Sequence, residues 1–427
     1  MDKLYGLPVS GDAFLLQRED VNILVDGGHN SSVLIKKLLQ TNEAISHLDI
    51  VVCTHADKDH AGGLTDLLGT GLLSVGEFWL PGSWTETLPD LLRDPRQFVS
   101  TLLGELDLFR TVVGGSLDED LLDLGESDVS ERFESQIHAH IVKIRREFFS
   151  DREEAGIDAP HVTQDLQSES WLEDLAKASE SDKLSSIEIS KTFQEGRVSV
   201  WNRVELGQID QKWGAFWVSL IDTAERIHKI ATQAVRHRVS VRWFDFGKFS
   251  VSRNASGGYK NLLVPINSVE LLVPPPPPPT HVMMYAIRLS PVNEESLVFY
   301  APPHQWLYQL GVMFTADSPL GDGPGYQTSF FNGKQRSFPP VVATAPHHGS
   351  ESNQMAYRHL QLKAWVPLWI RSGGNTKHPG KTFRTLPPES RACTHCPRLR
   401  LQKEAVEVQL SNLWPIFRVK SHDCICN

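Results

Sequence analysis

Two imidazoles and two carboxylates fall within six consecutive positions of this chain, in Thr54-His55-Ala56-Asp57-Lys58-Asp59-His60-Ala61-Gly62-Gly63. Imidazole nitrogen and carboxylate oxygen are the ligand atoms that hydrolytic divalent ions take. The residues just before, Leu48-Asp49-Ile50-Val51-Val52-Cys53, are apolar and β-branched and predict a buried strand that delivers the cluster at its end. A loop at a strand end, closed by a tight turn at paired glycines, can bring four ligands to one small volume from different sides. A two-metal hydrolytic centre needs that arrangement. The bland alternative is a charged turn holding two histidines, and it requires the ligand types, their offsets and the Gly pair to coincide by chance.

The pattern His-x-Asp-x-Asp-His-x-Gly-Gly resembles the signature of the metallo-β-lactamase superfamily, whose commoner form has His where this chain has Asp57. The variant is similar to the ComEC-like branch, which includes bacterial phosphorylcholine esterases. Four other elements match in order. Gly11 to Leu16 and Asn22 to Gly28 read as a hairpin ending in Asp26-Gly27-Gly28. Ser296 to Phe299 and Gly311 to Asp317 look like the strand pair that ends at the family's bridging aspartate. Pro346-His347-His348-Gly349-Ser350 follows, and then a loop with His378-Pro379. The resemblance covers residues 1–82 and 281–388.

That resemblance implies the chemistry residue by residue. His55 and Asp57 would take one metal and Asp59 and His60 the other, with Asp317 between the ions and His348 completing the second site. Asp26 would support the site from behind. Asp59, His347 and His378 are the candidate catalytic residues, with His347 facing substrate and His378 beside the leaving group as general acid or phosphate contact. The nucleophile would be a hydroxide bridging the ions, because coordination lowers the pKa of water. Asp57 in place of an imidazole makes the site richer in oxygen, which suits Mn²⁺, while Zn²⁺ also accepts this set. Two departures stand out. Ala316 replaces the usual Gly before the aspartate, and the superfamily's third imidazole has no counterpart in Pro291-Val292-Asn293-Glu294-Glu295-Ser296.

The elements that must position these residues occupy only part of the 427-residue chain, whose formal net charge is −10. That charge argues against a broad basic surface for nucleic acid, though a local groove is compatible with it. No apolar run is long enough to span a bilayer and no leader pattern is present, so a cytoplasmic protein is expected. The expected organisation is a first hydrolase half at 1–84 and a mainly helical insertion at 85–250. A connector at 251–280, a second half at 281–390 and a Cys-containing tail at 391–427 follow.

Within the insertion, Phe133, Ile137, Ile141, Ile144 and Phe148 recur at helical spacing, as do Trp213, Phe216, Trp217, Leu220, Ala224, Ile227 and Ala231. These stripes read first as core and second as a cap over a metal cleft. His138 and His140 alternate faces and so do not form a joint metal site, and His228 and His237 read as packing or surface residues. Residues 239–246 predict a return to strand. Pro274 to Pro279 form a polyproline II spacer, with a docking peptide for a protein partner as the sharper alternative. Cys393, Cys396, Cys424 and Cys426 could hold a structural zinc, but Cys-x-Cys is tighter than usual zinc-ribbon spacing, and free thiols in a reducing compartment are the simpler expectation.

The expected fold is an αββα sandwich in the α/β class, two mixed sheets with helices outside and metals at one edge. The expected function is a metal-dependent hydrolase, foremost a phosphodiesterase acting on nucleic acid or a small phosphodiester with two ions, Zn or Mn. The alternatives are a carbonyl ester, thioester or lactone hydrolase of the same fold, and a non-catalytic protein that binds partners.

Overall fold

Short runs of branched and aromatic residues become strands throughout the first of two compact units. The computed structural model describes residues 2–41, 45–114, 133, 136–145, 147, 171–172, 175, 186–280, 283–290, 292–304, 309–331, 337–374, 378–396, 404–410, 419–420 and 424–426. The first unit gathers Met1–Pro81, Arg236–Leu271 and Asn293–Asn427, and the second takes Gly82–Val235 and Leu272–Val292.

In chain order the strands are β1 (Lys3–Gly6), β2 (Phe14–Arg18), β3 (Val21–Val25), β4 (His47–Val52), β5 (Ser74–Pro81), β6 (Ser240–Asp245), β7 (Val264–Pro265), β8 (Val269–Leu271) and β9 (Phe299–Ala301). They continue with β10 (Gly311–Phe314), β11 (Gly321–Asp322), β12 (Thr328–Ser329), β13 (Val341–Thr344), β14 (Leu368–Arg371), β15 (Arg391–Cys393), β16 (Val406–Gln409) and β17 (Val419–Lys420). Nine of them form one sheet in the order β17-β16-β1-β2-β3-β4-β5-β6-β8, and six form a second, β15-β14-β13-β10-β9-β7. β11 and β12 pair separately. The run β3-β4-β5-β6 is parallel, as is β10-β13-β14-β15.

The two sheets share a core. Ile23, Val25, Ile50, Val52, Trp79 and Phe244 of the larger sheet pack in one buried cluster with Phe299, Val312, Phe314, Val342 and Ile370 of the smaller. Leu24 and Val51 alternate to the opposite face, and both are fully buried. β4 is therefore apolar on both sides, as a strand inside a parallel sheet should be. Each large side chain buried this way contributes roughly 1.5–3 kcal/mol, so a one-residue register slip is prohibitive. On the outer face of the smaller sheet, Met313, Ala343 and Trp369 pack with Ala356, Tyr357 and Leu360 of the helix Gln354–Gln361. The helix Ser31–Leu39 buries Leu34, Ile35 and Leu38, and its first turn is held by Asn30, whose side chain accepts the Val33 N–H at 3.1 Å. The result is the αββα sandwich.

The strand expected over 239–246 forms as β6, but it belongs to the first unit rather than the insertion, pairing with β5 as Val241, Trp243 and Phe244 bury fully or nearly so. β7 and β8, within the expected connector, are edge strands of the two sheets. Pro265 is tolerated in β7 because an edge position needs no second ladder donor.

The second unit is helical among its described residues, with helices Leu88–Arg93, Pro95–Gly104, Leu106–Gly114, Ser186–Glu205, Gln211–Arg236 and Tyr285–Leu289. The aromatic stripe of Gln211–Arg236 is core. Phe109 lies 5.5 Å from Trp217 and 5.7 Å from Phe216, ring centre to ring centre, and Phe133 meets Trp213 edge-on at 5.0 Å. Ile137 and Ile141 are buried, while Phe148 lies outside the described residues. The polyproline tract is fastened at its far end. Buried Arg288 donates to the carbonyls of Pro278, Met283 and Glu86, and Met283 N–H donates to Pro279 at 3.1 Å. Among the described residues, no helix is long and apolar enough to cross a membrane.

Candidate metal centre

Each residue of the site stands just beyond the C-terminal end of a parallel strand, where the buried apolar run stops. Asp26 follows β3, His55 follows β4, Asp317 follows β10, and His347 and His348 follow β13. The chain must turn sharply at these points, and it does so through left-handed backbone at Asp26 (φ 61°), Ala316 (φ 46°), His347 (φ 47°) and His348 (φ 52°). That conformation costs a residue with a Cβ about 1–2 kcal/mol, strain of the kind that gathers at functional sites.

Two glycines are required by close approach. A Cβ on Gly63 would sit 1.9 Å from the Gly27 carbonyl oxygen, and one on Gly11 would sit 2.0 Å from that of Asp59. Around them, Gly27 N–H donates to His60 at 2.7 Å, Gly63 N–H to Gly28 at 2.6 Å and Asp12 N–H to Asp59 at 2.8 Å. The paired glycines of the motif thus let the Asp26-Gly27-Gly28 loop lie directly on it.

The tautomers of three histidines follow from what lies behind them. Asp26 accepts the Thr54 N–H and the Thr54 hydroxyl, both at 2.8 Å, and stands 2.8 Å from His60 Nδ1. Asp26 can only accept, so the His60 proton is on Nδ1. The Thr54 hydroxyl has already donated, so it accepts from His55 Nδ1 at 3.0 Å. His348 Nδ1 lies between Asp12 Oδ1 at 3.0 Å and the Ser372 carbonyl at 3.1 Å, two acceptors, and must donate. All three rings therefore turn Nε2 inward, and in the neutral ring that atom carries the lone pair.

What those lone pairs meet are carboxylates. His60 Nε2 is 3.1 Å from Asp317 Oδ1, and His348 Nε2 is 2.8 Å from Asp59 Oδ2. His55 Nε2 is 3.5 Å from Asp57 Oδ2 and 3.7 Å from Asp317 Oδ2. With neutral rings acceptor faces acceptor, so His348 Nε2 and Asp59 Oδ2 make their hydrogen bond only by sharing a proton, while His55 Nε2, His60 Nε2 and Asp317 Oδ1 are buried without a hydrogen-bond partner. Divalent cations resolve this arrangement, and the donor set fits them. The electrostatics point the same way. Burial alone would lower His60 and His348, yet Asp317 and Asp26 hold the first, and Asp12 and Asp59 the second, well above the usual imidazole range. Burial opposes ionisation of Asp317 and Asp59 too, but the neighbouring histidines hold both below the usual carboxylate range. The pocket attracts positive charge.

Every residue expected to bind metal is thus brought together. His347 stands at the edge, a quarter exposed, with Nε2 3.6 Å from Asp317 Oδ2. The His378 ring is 5.5 Å from that of His347 and 5.9 Å from that of His348. Burial, then His347, His348 and Arg371, pushes His378 down to about 4, so its ring is uncharged at neutral pH. Residues 375–377 of its loop, and Pro291, lie outside the described residues.

Four participants were missed in the sequence. Asp12 and Thr54 set tautomers, as described. Asn353 donates to the Asp317 carbonyl at 2.8 Å and faces His347 Nδ1 at 3.4 Å. Arg371, buried on β14, donates to the carbonyls of His348 (2.9 Å) and His378 (3.2 Å). Asp12 and Arg371 carried a signal, each being a lone charge beside an apolar strand run. Asn353 carried none.

Residues 6–140 match the family model of the metallo-beta-lactamase superfamily. The match takes in Asp12, Asp26 and the whole His55–Gly63 cluster, while Asp317, His347, His348 and His378 come from sequence beyond it. No curated protein matches the chain. Fold, match and ligand set together point to a metal-dependent hydrolase.

Proposed function

We propose that this chain is a phosphodiesterase of the ComEC-like branch that works with two divalent ions, Zn²⁺ or Mn²⁺. The observation that carries the proposal is the set of imidazole Nε2 atoms turned onto carboxylates, His60 onto Asp317 and His348 onto Asp59. His55, Asp57 and Asp317 would hold one ion, and Asp59, His60, His348 and Asp317 the other. Bound ions of this kind acidify water into a nucleophile at neutral pH and neutralise charge on both the attacking and leaving oxygens of an in-line displacement.

The chain's own residues do the positioning. Asp26, Thr54 and Asp12 fix the three rings, and Asn353 and Arg371 hold the loops that carry Asp317, His348 and His378. His347 and His378, on the partly open side, supply N–H donors for the non-bridging and leaving oxygens of a phosphodiester. The formal net charge of −10 favours a small phosphodiester or a single nucleic-acid strand over long duplex DNA. A cytoplasmic setting belongs to the proposal, in keeping with five cysteines outside any disulfide.

The test strips the protein of metal, restores Mn²⁺ or Zn²⁺ separately, and compares bis(p-nitrophenyl) phosphate with p-nitrophenyl acetate. Metal-dependent turnover of the diester is expected. Asp317→Asn should lower it by more than the roughly 10–100-fold that supporting residues of metal sites cost. Turnover of the acetate alone would move the assignment to acyl chemistry.

A further inference from the structure

Four of the five cysteines converge on the outer side of the smaller sheet. Cys393 ends β15, Cys396 lies in the turn after it, and Cys424 and Cys426 return after β17. All four are buried in the cluster that includes Met313, Trp369 and Phe383. The sulfurs of Cys393, Cys396 and Cys426 lie within 4.8 Å of one another, and those of Cys396 and Cys426 are 3.3 Å apart. The Cys424 thiol is buried in the same cluster and interacts electrostatically with the other three. A separation of 3.3 Å is far from the ~2.05 Å of a disulfide. It is near the ~3.8 Å edge of a tetrahedron whose sulfurs each sit ~2.3 Å from a central zinc.

Buried cysteines often serve as small hydrophobes, and then their sulfurs face hydrocarbon. These face each other, and donors are aimed at them. Cys393 Sγ receives Arg371 Nη1 at 3.2 Å and the His395 N–H at 3.3 Å, contacts that favour a thiolate. Arg371 is only 3 % exposed, and among the described residues its other hydrogen bonds go to carbonyls and none to a carboxylate. A buried guanidinium requires a counter-charge. Four thiolates around one Zn²⁺ carry a net charge of −2 and place it against this cation.

We propose that Cys393, Cys396, Cys424 and Cys426 bind one structural zinc ion, separate from the hydrolytic pair. On binding, four thiols release four protons to solvent and form four Zn–S bonds, with no redox change. The spacing that counted against this site in the sequence is compensated by topology. Between its two cysteine pairs the chain adds β16 and β17 to the larger sheet and then comes back. The ion therefore pins that excursion from the smaller sheet, and Arg371 ties it to the loops of His348 and His378.

The test uses the full chain, reduced, stripped of metal and titrated with Co²⁺. Sulfur ligation gives a near-ultraviolet charge-transfer band that nitrogen and oxygen ligands do not give. The band should saturate at about one Co²⁺ per chain, disappear when Zn²⁺ displaces it, persist in Asp317→Asn and weaken, with lower Co²⁺ affinity, in Cys396→Ser. Because the band does not depend on the hydrolytic centre, failure of the phosphodiesterase proposal would leave it in place. Should Cys396→Ser not fold, the wild-type chain decides by itself: bound Zn²⁺ should slow the reaction of its thiols with a disulfide reagent. Absence of the sulfur band in the wild type, or thiols that react equally fast with and without Zn²⁺, overturns the proposal.

Discussion

Three imidazoles in the candidate metal centre have one tautomer imposed on them from behind. Asp26 does most of this, directly on His60 and through Thr54 on His55. Asp26→Ala releases both rings to place a proton on Nε2, where it competes with metal. Affinity for Zn²⁺ should fall roughly 10–100-fold, measured by competition with a chromophoric chelator, and unchanged affinity would refute this role. The candidate ligands were legible because His55, Asp57, Asp59 and His60 sit together in sequence at metal-ligand offsets. Asp12 shows in the sequence only as a lone charge beside an apolar run, since its role lies in a contact with His348 across 336 positions. No local pattern encodes such a pairing.

At the scale of elements, the strands were legible where hydrophobic runs set them and less so where side chains replace the ladder. The strand expected from Ser296 begins at Phe299, because the Asn267 side chain takes the Val298 N–H and the Ser296 carbonyl, both at 2.8 Å. The turn after β10 is strained at Ala316, a position where the resembled branch usually has Gly. Ala316→Gly should stabilise the protein by roughly 0.5–1 kcal/mol, read as a higher urea midpoint at unchanged slope, with metal content preserved. A lower midpoint would contradict the strain. In the helix Gln211–Arg236, burial pushes His228 down to about 4, outweighing nearby Glu225, with Lys229 adding to the depression. The unfolded chain takes up this proton near pH 6.5 and the folded one only near pH 4, so its contribution is complete above 6.5 and lost progressively as pH falls below it. His228→Gln should flatten the loss of stability between those pH values in urea melts, and an unaltered slope would refute the assignment.

The first unit is collected from three separate stretches, Met1–Pro81, Arg236–Leu271 and Asn293–Asn427. The sequence reveals the two outer ones through their motifs. The middle one has no motif, and β6 shows its membership only by burying Val241, Trp243 and Phe244 beside β5. The cysteines at the end of the chain were ambiguous for a related reason, because their spacing omits the excursion through the larger sheet that brings the pairs together. The central claim for the whole molecule is a two-ion phosphodiester hydrolase. The most direct measurement is bis(p-nitrophenyl) phosphate turnover by metal-stripped protein titrated with Mn²⁺, a hard ion that suits the oxygen-rich centre and not four thiols. Turnover should start from none, rise with added ion and level off near about two equivalents per chain. Turnover that is absent at every Mn²⁺ concentration, or already complete in the stripped protein, would contradict the account.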